Sequence, residues 1–333
     1  APLSDLSPLR GQKLTKLDLS FTEVKDLSTL VGMPLKSLNL SYTSVKDLRF
    51  LNDIPLTNLD ISHTGVRNIQ VVQGMPLQRL SINATHVIDL FPLRGVPLVF
   101  LDASETHIRN INPLRSMPLR YLSLNDTDVS DISIIRKMPL QYLFLSQTRV
   151  RDISPLRGLT LISLDLSHTE IKDLLPLSGL ALRSLNIADT KISDLLPLIG
   201  MPLRKLNLSG THITDLSVLQ KMPLKSLNIG STKINDLTKL HGIKLVSLQI
   251  YNTDISNLSP LKKMPLHFLD LRTTKVTDLS PIQHLPIERI FLDYEPQLRY
   301  RKTDDAFLYV LRQMPALKLI NNHPVIGMKR KYY

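Results

Sequence analysis

The apolar positions of this chain fall into one fixed rhythm. The same aliphatic position recurs at Leu14, Leu35, Leu56, Leu77, Leu98, Leu119, Leu140, Leu161, Leu182, Leu203, Leu224, Leu245 and Leu266, then Ile287, always 21 residues on, with no insertion or deletion. Self-similarity at a fixed period of this length is the signature of a stacked-repeat architecture. With that position as 1, the unit reads L-x-x-L-x-L-S-x-T-x-V-x-D-L-S-P-L-x-G-M-P. Positions 3–7 alternate polar and apolar, as a half-buried strand does. In "SLNLS" (Ser37–Ser41) Leu38 and Leu40 are predicted to point inward, and Ser37 and Asn39 outward. Every unit runs the same way, so the strands are expected to form a parallel sheet.

The second half of the unit predicts short turns. Position 13 is Asp or Asn throughout, from Asp26, Asp47 and Asn68 to Asp278. Such a side chain accepts hydrogen bonds from the N–H groups that open a following turn or 3₁₀ segment. Pro three residues later, as in Pro92, Pro113, Pro155, Pro176 and Pro197, suits a first turn whose N–H would lack a partner anyway. These carboxylates are scaffold on this reading. So are the methionines at position 20 (Met33, Met75, Met117, Met138, Met201), which fill core gaps.

The unit resembles the leucine-rich repeat family, L-x-x-L-x-L-x-x-N-x-L, with Thr where that family usually has Asn. "DLSPL" (Asp5–Leu9), "DISPL" (Asp152–Leu156) and "DLLPL" (Asp173–Leu177) are similar to the internalin-type bacterial subclass. Units ending in "GMPL" with Thr at the ladder position also resemble leucine-rich regions attached to bacterial Ser/Thr kinases. The resemblance covers about residues 3–294 and implies an α/β fold. That fold is a leucine-rich repeat solenoid with a parallel β-sheet on its concave face, short 3₁₀ or extended segments on its convex face, and a curved right-handed superhelix.

The expected organisation has four parts. Residues 1–13 match the second half of a unit, a partial repeat that suggests the C-terminal portion of a longer protein. Residues 14–294 are the 21-residue repeats. Residues 295–326 read as a C-terminal cap. Thr303 with Asp304 and Asp305 opens a short amphipathic helix over "AFLYVLRQM", and "ALKLINNHPV" is one last strand-like segment. Residues 327–333 are a basic tail.

Composition narrows the chemistry. Hydrophobic residues make up 43% but aromatics only 5%, so the core must be aliphatic. Without Cys there is no disulfide, thiolate metal site or Cys nucleophile. No apolar run approaches the roughly 18 residues of a membrane span. The net charge of +12 favours anionic partners without locating a patch. No phosphate-binding Gly-rich loop, G-K-[ST], H-E-x-x-H, G-x-S-x-G or kinase signature occurs, so no enzyme activity, cofactor or metal is expected. His86 and His107 share a unit position in adjacent repeats, but two imidazoles without a third ligand make a poor metal site.

Thr22, Thr43, Thr64, Thr85, Thr106, Thr127, Thr148, Thr169, Thr190, Thr211, Thr232, Thr253 and Thr274 form one column just after the strand. Each hydroxyl is expected to satisfy backbone groups of its own turn or of the next repeat, making the column a structural ladder. The variable positions lie on the outward strand face. Phe100, Tyr121 and Tyr142 occupy position 3 of successive repeats, with Phe144 two residues along and Arg79, Arg120, Asp102, Ser123 and Glu105 around them. Aromatics clustered beside Arg on an open face are the makings of a binding hot spot; the competing reading is cross-strand stabilisation of the sheet. A second trio, Phe268, Arg289 and Phe291, is expected to pack under the cap. The function expected is a non-enzymatic scaffold binding a partner protein. The alternatives are a glycan or cell-wall binder, with Tyr121 and Tyr142 stacking on sugars and the Asp/Asn row taking hydroxyls, and a sensor region of a larger signalling protein such as a Ser/Thr kinase. Nucleic acid is disfavoured, because rings and basic residues do not interleave on this face. An extracellular or cell-surface setting is favoured over a cytoplasmic one.

Overall fold

A computed structural model describes residues 4–293 and 304–325. The expected basic tail, 327–333, and the first part of the expected cap, 295–303, lie outside the described residues. The chain divides into two compact units, Ala1–Ile171 and Lys172–Tyr333. The uniform period carries no sign of that division.

Unit 1 holds eight parallel strands: β1 (Lys16–Asp18), β2 (Ser37–Asn39), β3 (Asn58–Asp60), β4 (Arg79–Ser81), β5 (Phe100–Asp102), β6 (Tyr121–Ser123), β7 (Tyr142–Phe144) and β8 (Ser163–Asp165). Each residue stands opposite its counterpart 21 positions on, as in Leu101↔Leu122 and Leu122↔Leu143. The strands are shorter than the alternation implied, covering positions 3–5 only. The physical reason is a corner: position 8 adopts a left-handed backbone, as at Phe21, Tyr42 and Glu105 (φ +58°, +57° and +54°). Inter-repeat hydrogen bonding nevertheless continues past the strand. Leu19 N–H donates to Asn39 O at 2.9 Å and Phe21 N–H to Ser41 O at 3.0 Å. Those bonds let bulky residues sit in a conformation that otherwise costs an L-residue about 1–2 kcal/mol.

One 3₁₀ turn returns the chain in every unit. Its start is built as the sequence suggested. Asp152 Oδ1 accepts Ser154 N–H at 2.8 Å, and Asn110 Oδ1 accepts Asn112 N–H at 3.0 Å. Pro92, Pro155 and Pro176 are buried in such turns. Gly at position 19 then reverses the chain, for example Gly95 at φ +80°. Between strand and turn lies a wholly aliphatic core: Leu35, Leu38, Leu40, Val45, Leu48, Leu51 and Ile54 of one repeat are all at most 2% exposed. Burying each such side chain is worth about 1.5–3 kcal/mol, and the stack repeats that burial in every unit.

Unit 2 repeats the pattern in β9 (Ser184–Asn186), β10 (Lys205–Asn207), β11 (Ser226–Asn228), β12 (Ser247–Gln249), β13 (Phe268–Asp270) and β14 (Arg289–Phe291). After α1 (Asp304–Gln313), the segment expected to be a single strand is a hairpin. β15 (Leu319–Ile320) pairs parallel with β14, and β16 (His323–Pro324) runs antiparallel to β15. Asn321 and Asn322 (φ +50° and +65°) supply the left-handed turn that two-residue hairpins require. The Asn321 side chain accepts from Leu292 N–H and donates to Leu292 O, each at 2.9 Å, tying the hairpin to β14.

Candidate functional site

The strand face of unit 1 positions the rings. In-register pairing puts Phe100 beside Tyr121 and Tyr121 beside Tyr142, while Ser123 faces Phe144. Phe100 and Tyr121 stack with centroids 4.2 Å apart and planes 16° from parallel. Tyr121 meets Phe144 at 5.4 Å and Tyr142 at 6.4 Å, both tilted. The Arg79 guanidinium lies over the Phe100 ring, 4.0 Å from its centroid. One continuous surface thus runs Arg79–Phe100–Tyr121, then fans out to Tyr142 and Phe144. Tyr142 is the most open ring, 39% exposed; Phe100, Tyr121 and Phe144 are half-buried. Burial, and next the nearby Asp102 carboxylate, push the Tyr121 phenol above its ordinary range, so it is a neutral hydroxyl at physiological pH. Beside the rings lies a trough of about 280 Å³ lined by Ser37, Asn39, Asn58, Asp60, Arg79 and Ser81.

The structure does not gather every residue of the expected patch in the same way. Arg120 is exposed one residue before β6, and its guanidinium covers none of the described rings. Glu105 sits at the left-handed corner and lines a different groove. Asp102 is engaged locally: its Oδ1 accepts Ser104 N–H at 3.1 Å and Ser104 Oγ–H at 2.7 Å, while Ser104 and Ser123 hydroxyls share a 2.6 Å bond. The whole Asp/Asn row at position 5 behaves this way. Asp18, Asn39, Asp60, Asp165, Asn186, Asn207, Asn228 and Asp270 each accept the N–H two residues on. The row that looked free to take ligand hydroxyls therefore also serves the frame. Phe144 cannot do this task, and Asn125 Oδ1 of the preceding repeat accepts Ser146 N–H instead, at 2.8 Å.

The threonine column is uniform. In all thirteen units the hydroxyl donates to the carbonyl three residues earlier, within its own turn, at 2.5–2.7 Å. The eleven from Thr43 to Thr253 are buried, and Thr22 and Thr274 are half-buried. The second aromatic trio resolves into a Phe268–Phe291 pair at 5.7 Å with the Arg272 guanidinium 4.9 Å over Phe291, and Arg289 is exposed. Arg272 in turn is held by Asp270 at 2.6 Å.

Two clusters escaped inspection of the strand rows. Phe21, Tyr42 and His63 stack face to face along position 8, at 4.5 and 4.1 Å, with Phe21 74% and Tyr42 47% exposed. Reading the position-8 column in the sequence would have found them. Asp128 gathers Arg149 at 2.5 Å, Arg109 at 3.5 Å and His107 Nδ1 at 3.8 Å. It lines a groove of about 700 Å³ with Glu105, Asp126 and His168. His86 has no part in it. Among the described residues no group of three or more His, Asp or Glu is arranged to hold a metal, and no helix is long and apolar enough to cross a membrane.

Comparison with known proteins agrees with this geometry. The Leucine Rich repeat family matches residues 201–219. No curated protein matches the chain. An internalin, InlF of Listeria monocytogenes, is similar at 27% identity over 85% of this chain and 88% of its own, with a TM-score of 0.76. A leucine-rich repeat protein of Leptospira interrogans (19% identity; 96% and 99% coverage; TM-score 0.60) and the functional domain of InlJ from Listeria monocytogenes (19%; 91% and 71%; 0.62) share the fold. Its unbroken 21-residue period, parallel strands, 3₁₀ returns and aliphatic core give the chain a leucine-rich repeat solenoid fold similar to that of the internalins.

Proposed function

We propose that this chain is a protein-interaction scaffold, as leucine-rich repeat arrays typically are, that it carries no catalytic activity, in keeping with a fold that is generally non-enzymatic, and that it binds a partner protein on the strand face of unit 1. The observation that carries the reading is the aromatic surface from Arg79 to Phe144 with Tyr142 open at its edge. Interfaces draw their energy from a few large aromatic and Arg anchors surrounded by polar groups that exclude water. The rings and the neighbouring Ser/Asn/Asp trough have that composition. A protein fits better than a glycan, because the anchors are rings and an Arg, while the position-5 row shares its acceptors with backbone N–H groups. The resemblance to kinase-attached repeats rests on sequence alone; a regulatory region of that kind would use the same face.

The test separates binding from sheet stabilisation. A benzophenone crosslinker placed at position 142 should capture a protein that the same crosslinker at Val31, on a 3₁₀ turn, does not. Tyr142→Ala should then weaken that complex about tenfold or more while leaving the melting temperature within a degree or two. A lowered melt with unchanged affinity would mean that the rings only hold the sheet. Glycan-selective binding lost on the same substitution would assign the face to carbohydrate.

A further inference from the structure

A row of arginines marks the turn side of unit 1. Position 18, the residue that closes each 3₁₀ turn, is Arg94, Arg115, Arg136 and Arg157 in four successive repeats. The same position is Arg10 in the partial first repeat, then Val31, Asn52 and Gln73, and after the run Ser178 and Ile199, with a single further cation at Lys262. All four arginines are exposed. Each backbone N–H donates to the first residue of its turn, at 3.0–3.4 Å, which puts the four side chains at equivalent places in the stack. Among the described residues no carboxylate lies within 4 Å of their guanidinium groups. The turn-opening carboxylates nearby are already engaged, Asp131 by Ser133 N–H and Asp152 by Ser154 N–H. Between two of the turns a groove of about 580 Å³ is walled by Arg115, Arg136 and Lys137 and floored by Met117, Ile134 and Met138.

These are the same four repeats whose strands carry Arg79, Phe100, Tyr121 and Tyr142. The array departs from uniformity on both sides of the core at once, strands on one side and arginines on the other. A bland solvated surface gives no reason for like charges to line up in register, since neighbouring like charges repel. An anion that repeats along the same line would offset that repulsion.

We propose that this arginine ridge binds one extended phosphodiester strand through its backbone. Arg is suited to this because its planar guanidinium meets two phosphate oxygens at once. Repeats stack at on the order of 5 Å, so the ridge spans about 15 Å. At 3.4 Å or more per phosphate, that is the length of several nucleotides. The closing positions themselves carry no aromatic side chain on which bases could stack, so recognition is of charge and not of sequence. A membrane surface is the less suitable partner, because the arginines form a line one residue wide. This surface is separate from the strand face and does not depend on a protein binding there.

The test uses the full chain and (dT)20 as the phosphodiester probe. Binding is expected at low salt, equal for (dT)20 and (dA)20. Replacing Arg94, Arg115, Arg136 and Arg157 together by Gln should weaken it about tenfold or more. The slope of log K against log salt should flatten by about three, since each single-strand phosphate contact contributes about 0.7. Replacement of all four by Lys should keep the slope. A control removing the same charge from unit 2, at Lys221, Lys239, Lys262 and Lys263, should change little. Because all eight positions are exposed, the melts should match the parent. Equal losses in the ridge and control variants would reduce the effect to net charge and overturn the proposal. Arginine-dependent binding to phosphatidylglycerol vesicles without binding to (dT)20 would overturn it in favour of a membrane contact.

Discussion

At the scale of single residues, a polar side chain inside an apolar frame is explained by the carbonyl it satisfies. Thr148 is buried and donates to Leu145 O at 2.7 Å. Thr148→Val keeps the shape and removes the donor, leaving a carbonyl without its partner away from water. The expected loss is about 1–3 kcal/mol, read as a lowered denaturant midpoint with partner binding intact; a neutral melt would show that the ladder contributes nothing. The column was legible in the sequence because thirteen copies of one residue at one position require one structural reason. Its acceptor was not, because whether a hydroxyl turns to its own turn or to the next repeat depends on the backbone path. Asn125 shows the same limit. Nothing in its sequence position says that it replaces the acceptor which Phe144 cannot provide for Ser146.

At the scale of the element, the strand–turn unit is held by carboxylates at both of its bends. Four of those opening the 3₁₀ turns, Asp131, Asp215, Asp236 and Asp278, are drawn below the ordinary carboxylate range by the groups they accept from. For Asp131 and Asp278 the chief cause is the backbone N–H of Ser133 and Ser280; for Asp215 and Asp236 it is the side-chain hydroxyl of Ser217 and Thr238. A group whose folded pKa is depressed binds more protons when unfolded, so its stabilisation is present above the unfolded value, near 3.9, and is lost as pH falls through the folded one. The melting temperature should therefore drop between pH 5 and pH 2.5. Asn already does this work at Asn68, Asn110 and Asn257, where Oδ1 accepts the same N–H. Replacing Asp131, Asp215, Asp236 and Asp278 by Asn should keep the turns and flatten the acid limb of the pH–melting curve. An unchanged limb would place acid sensitivity elsewhere. Asp at position 13 announced these bends in the sequence. The matching role of the position-5 row was missed, because a strand's outward residue reads as solvent-facing until the chain is seen to turn two residues later.

At the scale of the whole molecule, a stack of parallel strands must end somewhere, and an open strand edge invites another chain to pair. In unit 2 the β15–β16 hairpin occupies the edge of β14: Lys318 and Leu319 N–H donate to Glu288 O, and Asn321 N–H to Ile290 O. Removing residues 304–325 should lower the melt by several degrees and produce concentration-dependent association in sedimentation, whereas a chain that stayed monomeric would show that β14 needs no cover. Period, strand direction, core composition and turn chemistry were determined by the sequence alone, because each rests on local preference repeated at a fixed interval, and repetition makes a weak signal unmistakable. Only the tertiary structure decided which side chains share a surface. Residues 21 apart, such as Phe21 and Tyr42 or Arg79 and Phe100, become neighbours when backbones stack in register, and the left-handed corner at position 8 decides which of them turn outward. Distances between columns are a property of the folded path, so the aromatic surface was legible as a list of residues and became a continuous run of touching rings only in three dimensions.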